Sequence, residues 1–205
     1  MTLILAAAHQ AGWLGQAIDL SVEWLLANAQ GLFDLIKVSV LALVSVTEMV
    51  LEWPPAWMFA LITAALGFWR VNGGFALFVL LGFNLVLSMA LWSEMIATLS
   101  LVITASGLAL LIGLPLGILS ARSRLVWRLV RPCLDLMQTM PAFVYLIPAV
   151  MLFSTGAVPS ILATLIFAMP PVVRLTHLGI VQVPDDLIEA GRSFGCSDRQ
   201  LLWKV

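Results

Sequence analysis

Long apolar runs, interrupted by short polar segments, make up most of the chain. The four principal runs cover residues 56–69, 75–92, 95–119 and 134–178. A helix needs roughly 20 apolar residues to cross the hydrocarbon core of a bilayer, so the last run is too long for a single crossing. Its middle, residues 154–159, reads Ser-Thr-Gly-Ala-Val-Pro, which indicates a turn. The pattern therefore predicts five spans, at about residues 54–70, 74–92, 95–119, 134–153 and 159–178.

The first 52 residues follow a different pattern. From residue 13 to residue 36, apolar side chains recur near helical spacing among polar ones, which is typical of a helix that lies on a membrane surface. Residues 38–51 are apolar, but they are too few for a crossing and include Glu48. We expect residues 1–52 to form an amphipathic, extracytoplasmic segment, in which residues 38–51 are interfacial or re-entrant.

The composition supports a membrane protein. Of the 205 residues, 62% are hydrophobic and only 10% are charged, whereas a soluble domain carries roughly a quarter charged residues. A soluble chain of this length exposes so much surface that it would need many more polar side chains. The expected fold is therefore all-α, a polytopic transmembrane helical bundle in residues 53–178.

The basic residues predict how the bundle is oriented. All but one of them fall in gaps on the same side of the predicted membrane, and by the positive-inside rule that side is the cytoplasm. They are Arg70, Arg122, Arg124, Arg128, Arg131, Arg174, Arg192, Arg199 and Lys204. The N-terminus is then extracytoplasmic, and residues 179–205 are cytoplasmic, as are both cysteines, Cys133 and Cys196.

Several prolines interrupt the predicted spans. In lipid, a broken helix is tolerated where it faces protein or a water-lined pathway, so clustered prolines indicate a transport route. Ordinary helix packing is the alternative, because proline is common in membrane helices. The candidate pathway or kink positions are Pro115, Pro141, Tyr145, Pro148, Pro170 and Pro171.

Most catalytic and ion-coupled chemistry has no support in the sequence. No charged residue falls at the centre of a predicted span, which disfavours a proton pump or an ion-coupled carrier. His9 and His177 are isolated from cysteines and carboxylates, so we predict no metal site and no catalytic site. The phosphate-binding loop of ATPases is also missing. We expect no cofactor and no nucleic-acid partner.

The segment after the fifth span carries a recognisable motif. Glu189-Ala190-Gly191 is followed four residues later by Gly195, and ten residues after that by Val205. This spacing resembles the EAA loop of binding-protein-dependent ABC importer permeases, whose pattern is E-A-A, three residues, G, nine residues, then I-x-L-P. Glu189, Ala190 and Gly195 hold motif positions, Gly191 replaces the second alanine, and Val205 holds the isoleucine position.

Further runs resemble the glycine betaine/proline betaine, or osmoprotectant, branch of that family. They are residues 114–118, 135–148, 167–176 and 193–195, and the similarity extends from about residue 13 to the last residue. The resemblance implies a type I ABC importer permease in the bacterial inner membrane. Its implied partners are an ATP-binding subunit, an extracytoplasmic substrate-binding protein and a second permease copy.

In that family the EAA loop is a cytoplasmic coupling helix that docks on the ATPase. The resemblance therefore implies that residues 179–205 form this coupling loop and that ATP hydrolysis takes place on the partner, with no catalysis on this chain. The motif stops before its L-P, and family members continue with further spans. We expect the chain to be a fragment that lacks C-terminal spans.

Three alternatives stay open. Choline or histidine could replace glycine betaine or proline betaine as the substrate of an ABC importer. A secondary transporter or channel and a non-transporting membrane scaffold are alternatives from other functional classes.

Overall fold

The computed structural model describes residues 28–204, and side chains as far as residue 202. This part of the chain is helical and contains no strand, so the predicted all-α fold is confirmed. The helices are α1 (Gln30–Glu52), α2 (Ala56–Arg70), α3 (Gly73–Ser88), α4 (Trp92–Arg122), α5 (Arg124–Thr139), α6 (Phe143–Phe153), α7 (Ala157–Val181), α8 (Asp185–Ser193) and α9 (Asp198–Lys204).

The apolar helices fall into three classes by length. Among the described residues, α4 and α7 are each long and apolar enough to cross a membrane alone, and α5 with α6 would make a third crossing if the bent pair counts as one. Helices α2 and α3 are apolar but only 15 and 16 residues long. Each predicted span overlaps at least one of these helices, and the number of five crossings stays a prediction.

The parallel pair α4 and α7 is the centre of the bundle, and it makes the most extensive helix contact in the described chain. Small residues recur at every fourth position of α4 and are all buried: Ala105, Ala109, Gly113 and Gly117. A Cβ on Gly117 would lie only 2.6 Å from Cβ of Thr176 in α7. A small-residue stripe of this kind lets two helix backbones approach closely, which strengthens dispersion contacts in lipid.

Helix α1 also packs against α4. Val40 and Val44 are buried in a cluster that includes Ala105. A hydroxyl pair, Thr47 Oγ1 and Thr104 Oγ1, joins the two helices at 3.1 Å. The sequence pattern predicted an amphipathic stretch followed by a separate interfacial or re-entrant one. The structure instead has one continuous helix, because burial of one apolar face on α4 can stabilise 23 residues despite their scattered charges.

The predicted span at residues 134–153 is broken. Helix α5 ends at Thr139, α6 begins at Phe143, and the two axes differ by 95°. Pro141 lies in the break. Proline has no N–H to continue the helix, and its ring disfavours helical geometry at Met140, which is extended with ψ of 139°. Pro141 is among the candidate kink positions predicted from the sequence, and the structure has a sharp bend there, while the assignment of residues 134–153 to one span stays a prediction.

Some expectations lie outside the described residues. These are the structure of residues 1–27, with His9 and the first half of the amphipathic pattern, and the position of Val205.

Candidate functional site

Helix α8 begins after only three residues, 182–184, beyond the end of α7, and α9 follows α8. Pro184 precedes the first residue of α8, and Asp185 and Asp186 occupy its first turn. Their carboxylates favour this end because the unpaired N–H groups of a helix start carry partial positive charge. The sequence thus specifies where α8 begins.

Gly195 ends α8. Its φ of +77° is a left-handed conformation that glycine adopts without strain. The Cys196 N–H donates to the Gly191 carbonyl at 3.0 Å, and the Gly195 N–H donates to the Arg192 carbonyl at 2.9 Å. These are the two hydrogen bonds of a Schellman motif, so the predicted loop glycine forms the bend between α8 and α9.

The start of α9 is fixed by a capping box. The Ser197 N–H donates to Oε1 of Gln200 at 2.8 Å, and the Gln200 N–H donates to Oγ of Ser197 at 3.4 Å. Ser197 and Gln200 thus make the reciprocal contact that satisfies two N–H groups at once.

One face of α8 is an exposed apolar stripe, formed by Leu187, Ala190 and Phe194 at helical spacing. Leu187 is 50% exposed and Phe194 is 88% exposed, and Ala190 is exposed as well. The motif drew attention to Glu189, Ala190, Gly191 and Gly195 but missed Leu187 and Phe194. Leu187, Ala190 and Phe194 are spaced i, i+3, i+7 in the sequence, and this spacing would have predicted that they share one face of the helix.

The other face of α8 looks into a cavity of about 420 Å³. Ile188 and Arg192 contribute from α8, and Arg122 contributes from the end of α4. Asp198 of α9 also lines this space, and its carboxylate is 4.0 Å from the Arg192 guanidinium. An exposed pair at this distance adds little stability. Helices α8 and α9 therefore stand at the end of α7 with space between them and the bundle.

The candidate pathway residues lie on three helices and at one break. Pro115 is within α4 and lines an apolar groove of about 720 Å³ between α4, α7 and α9. Pro148 is within α6, Pro170 and Pro171 are within α7, and Pro170 is buried. The structure does not bring the six predicted residues together at one place. Their role in a pathway stays a prediction.

Tyr145 is tied to the break at Pro141. Its hydroxyl donates to the Leu136 carbonyl at 2.9 Å, so it links the first turn of α6 to the last turn of α5. That carbonyl also accepts the Met140 N–H at 3.1 Å. Tyr145 thus adds a second contact across the bend where Pro141 cannot donate.

His177 packs against an aromatic ring. Its imidazole stacks on the Trp127 ring with centroids 3.8 Å apart. Within residues 28–202 no group of three or more His, Cys, Asp or Glu side chains could hold a metal ion.

Comparison with known proteins identifies the family. Residues 113–205 match the family described as "Binding-protein-dependent transport system inner membrane component". The chain is 45% identical over 192 residues to the glycine betaine transport system permease protein OpuAB of Bacillus subtilis, covering 94% of this chain and 68% of that protein. It is 43% identical over 200 residues to the glycine betaine/carnitine transport permease protein GbuB of Listeria monocytogenes, covering 95% and 69%.

A third relative is the glycine betaine/proline betaine transport system permease protein ProW of Escherichia coli. It is 45% identical over 194 residues, which cover 94% of this chain and 53% of ProW. This chain belongs to the family of binding-protein-dependent permeases. The predicted resemblance is confirmed.

Family membership indicates the general role of the described helices. The permease is a transmembrane component of a transport system, and its family is one of inner membrane proteins. Members of this family are expected to work with an ATPase and a binding protein. The match includes the end of α4, all of α5 to α9, and therefore the exposed stripe on α8.

Proposed function

We propose that the permease forms the translocation pathway of an ATP-driven importer for glycine betaine or proline betaine-type compatible solutes. Its relatives OpuAB, GbuB and ProW are named for transport of such solutes. In this proposal a separate ATP-binding subunit hydrolyses ATP, and the permease itself is not catalytic. A binding protein delivers the solute from the extracytoplasmic side, and two permease copies enclose the pathway.

The observation that carries the proposal is the exposed stripe of α8. Monomeric soluble surfaces seldom leave a phenylalanine as exposed as Phe194 beside a second apolar residue in a helix stripe unless a partner covers them. Glu189 adds an exposed carboxylate beside the stripe, at the position that the EAA motif assigns to docking. We propose the ATP-binding subunit as the partner that covers Leu187, Ala190 and Phe194.

The orientation is part of the same proposal. Residues 179–205 would lie in the cytoplasm, where the ATPase is, and the N-terminus outside. Residues 53–178 would form the transmembrane bundle on which α1 packs, and the Glu52 end of α1 would lie on the extracytoplasmic side. The arginines at the end of α4 and in the first half of α5 support a cytoplasmic position for that end of the bundle.

Docking can be tested by co-purification of the ATPase with the permease from membranes. Phe194→Ala and Leu187→Ala together remove most of the apolar area of the stripe, and we expect them to lower ATPase recovery at least about tenfold, as loss of central apolar contacts does. Phe68→Ala is the matched control, because Phe68 is 67% exposed but lies on α2. Full ATPase recovery with the double variant would contradict docking through α8.

The substrate needs a separate experiment. The complete permease, its ATPase and its binding protein can be reconstituted in liposomes and supplied with labelled glycine betaine, choline or histidine. We expect ATP-dependent uptake of glycine betaine. Uptake that needs no ATP would support a secondary transporter or channel. Preference for choline or histidine would overturn the substrate proposed, and no uptake of any of them would favour a scaffold.

A further inference from the structure

Two cross-helix contacts join α5 to α7 near the end of α7 that leads into α8. The Arg174 guanidinium forms an ion pair with the Asp135 carboxylate. One turn later on α7, the His177 imidazole stacks on the Trp127 ring, with ring planes only 8° from parallel. We call these two contacts the α5–α7 junction.

The α5–α7 junction contains polar atoms that can accept or donate further hydrogen bonds. Nε of Arg174 and Nδ1 of His177 are buried and have no hydrogen-bond partner among the described residues, and the same holds for Oγ of Ser120 at the end of α4. Buried polar atoms in folded proteins are nearly always satisfied by protein or by ordered water. A guanidinium has five N–H donors, so Arg174 can keep its ion pair with Asp135 and still donate to a further acceptor.

Helix α5 is also connected on its other side. The hydroxyl of Tyr145 in α6 donates to the carbonyl of Leu136, the residue that follows Asp135. The end of α5 is therefore held by α7 through Asp135 and by α6 through Leu136. Contacts therefore link α7 through α5 to the bent helix α6, and residues 182–184 connect α7 directly to α8.

We propose that Arg174 with Asp135 and His177 with Trp127 form a latch that carries movement of α8 through α7 and α5 to α6. These four side chains are positioning residues, since none of them needs to touch the solute or ATP. Packed helices that shift between discrete arrangements are one means by which a displacement at one site reaches another. The inference rests on the proposed function, because it assigns to α8 the movement that an ATPase would impose.

The test uses charge reversal in the complete permease, assembled with its ATPase and binding protein in liposomes. Arg174→Asp and Asp135→Arg each place like charges opposite each other, whereas the double variant R174D/D135R restores an ion pair in reverse. Arg128→Asp is the matched control, because Arg128 is an exposed arginine of α5 outside the junction. Two rates are measured, ATP hydrolysis and glycine betaine uptake.

We expect each single reversal to lower the solute transported per ATP about tenfold, within the range of typical coupling between sites. The double variant should recover most of that loss, and Arg128→Asp should match the wild type. The latch is overturned if the single reversals behave like the control, or if the double variant is no better coupled than the singles. A wild-type complex that shows no ATP-dependent uptake would overturn the proposed function and the latch with it.

A second pair of variants covers the case in which charge reversal prevents assembly. His177→Phe keeps a flat ring that can stack on Trp127, and His177→Ala removes it. We expect the phenylalanine variant to stay coupled and the alanine variant to lose coupling about fivefold. Equal coupling in both variants would show that the stack transmits nothing.

Discussion

At the scale of single residues, backbone conformation identifies the positions under constraint. Ser154 joins α6 to α7 with φ of 65° and ψ of 176°, a region that is almost restricted to glycine. The neighbouring Gly156 has φ of 145°, which glycine tolerates. The turn signal at residues 154–159 indicated where the chain reverses, but not that serine would occupy the strained position.

Replacement of Ser154 by glycine is expected to stabilise the chain by about 1 kcal/mol, because it relieves this backbone strain. The thermal unfolding midpoint in detergent measures the effect. Thr155→Gly is the matched control in the same turn. Thr155 does not have a positive φ, so glycine relieves no strain there. Glycine makes the unfolded chain more flexible, so the Thr155→Gly variant should be less stable than the wild type. A lower midpoint for Ser154→Gly would contradict the strain.

Gly195→Ala tests the bend between α8 and α9. A Cβ at φ of +77° costs about 1–2 kcal/mol, so we expect α8 and α9 to change their relative direction and ATPase recovery to fall. Gly179→Ala serves as the control, because a Cβ there meets nothing within 4 Å and Gly179 has ordinary helical geometry in α7. The bend would be unimportant if both variants recovered the ATPase equally well.

At the scale of helices, the contact of α4 with α7 depends on small side chains. The stripe from Ala105 to Gly117 recurs every four residues, a pattern that is visible in the sequence. Its partner is not visible, since any other helix could accept a small-residue stripe. The structure assigns the stripe to α7, where the Val173 carbonyl lies 3.0 Å from the position of a Cβ on Gly117.

Gly117→Ala is expected to destabilise the chain by about 1–3 kcal/mol, because the added methyl group meets backbone that cannot rotate away. Gly107→Ala in the same helix is the control, because a Cβ at this position meets no atom within 4 Å. It should be neutral or stabilise α4 by up to about 1 kcal/mol. Unfolding midpoints of both variants in detergent make the comparison, and similar midpoints would argue against close packing of α4 on α7.

At the scale of the whole molecule, the distribution of charged residues predicts the orientation in the membrane. The structure has two native cysteines to report on it: Cys133 on α5 is exposed, and Cys196 beside Gly195 is half-buried. Both are on the side that the arginines assign to the cytoplasm.

Cys196 alone, in a Cys133→Ser variant, should react with a membrane-impermeant maleimide only after cells are permeabilised. A cysteine introduced as Glu52→Cys in a chain without Cys133 and Cys196 should react in intact cells, because the end of α1 is proposed to lie outside. The reverse pattern of labelling would invert the proposed topology.

The sequence by itself determined the membrane class, the all-α fold, the charge asymmetry and the presence of the EAA-type motif. These features depend on local composition, on hydrophobic period and on turn residues such as Gly195, which act over a few positions along the chain. The tertiary structure decided the rest. It alone showed that Pro141 breaks the span while Pro115 and Pro170 do not, that α1 packs on α4, and that Asp135 meets Arg174. The last two outcomes depend on surfaces that lie 30 or more residues apart in the sequence, and in lipid a polar side chain or a proline kink is tolerated only where neighbouring protein compensates for it.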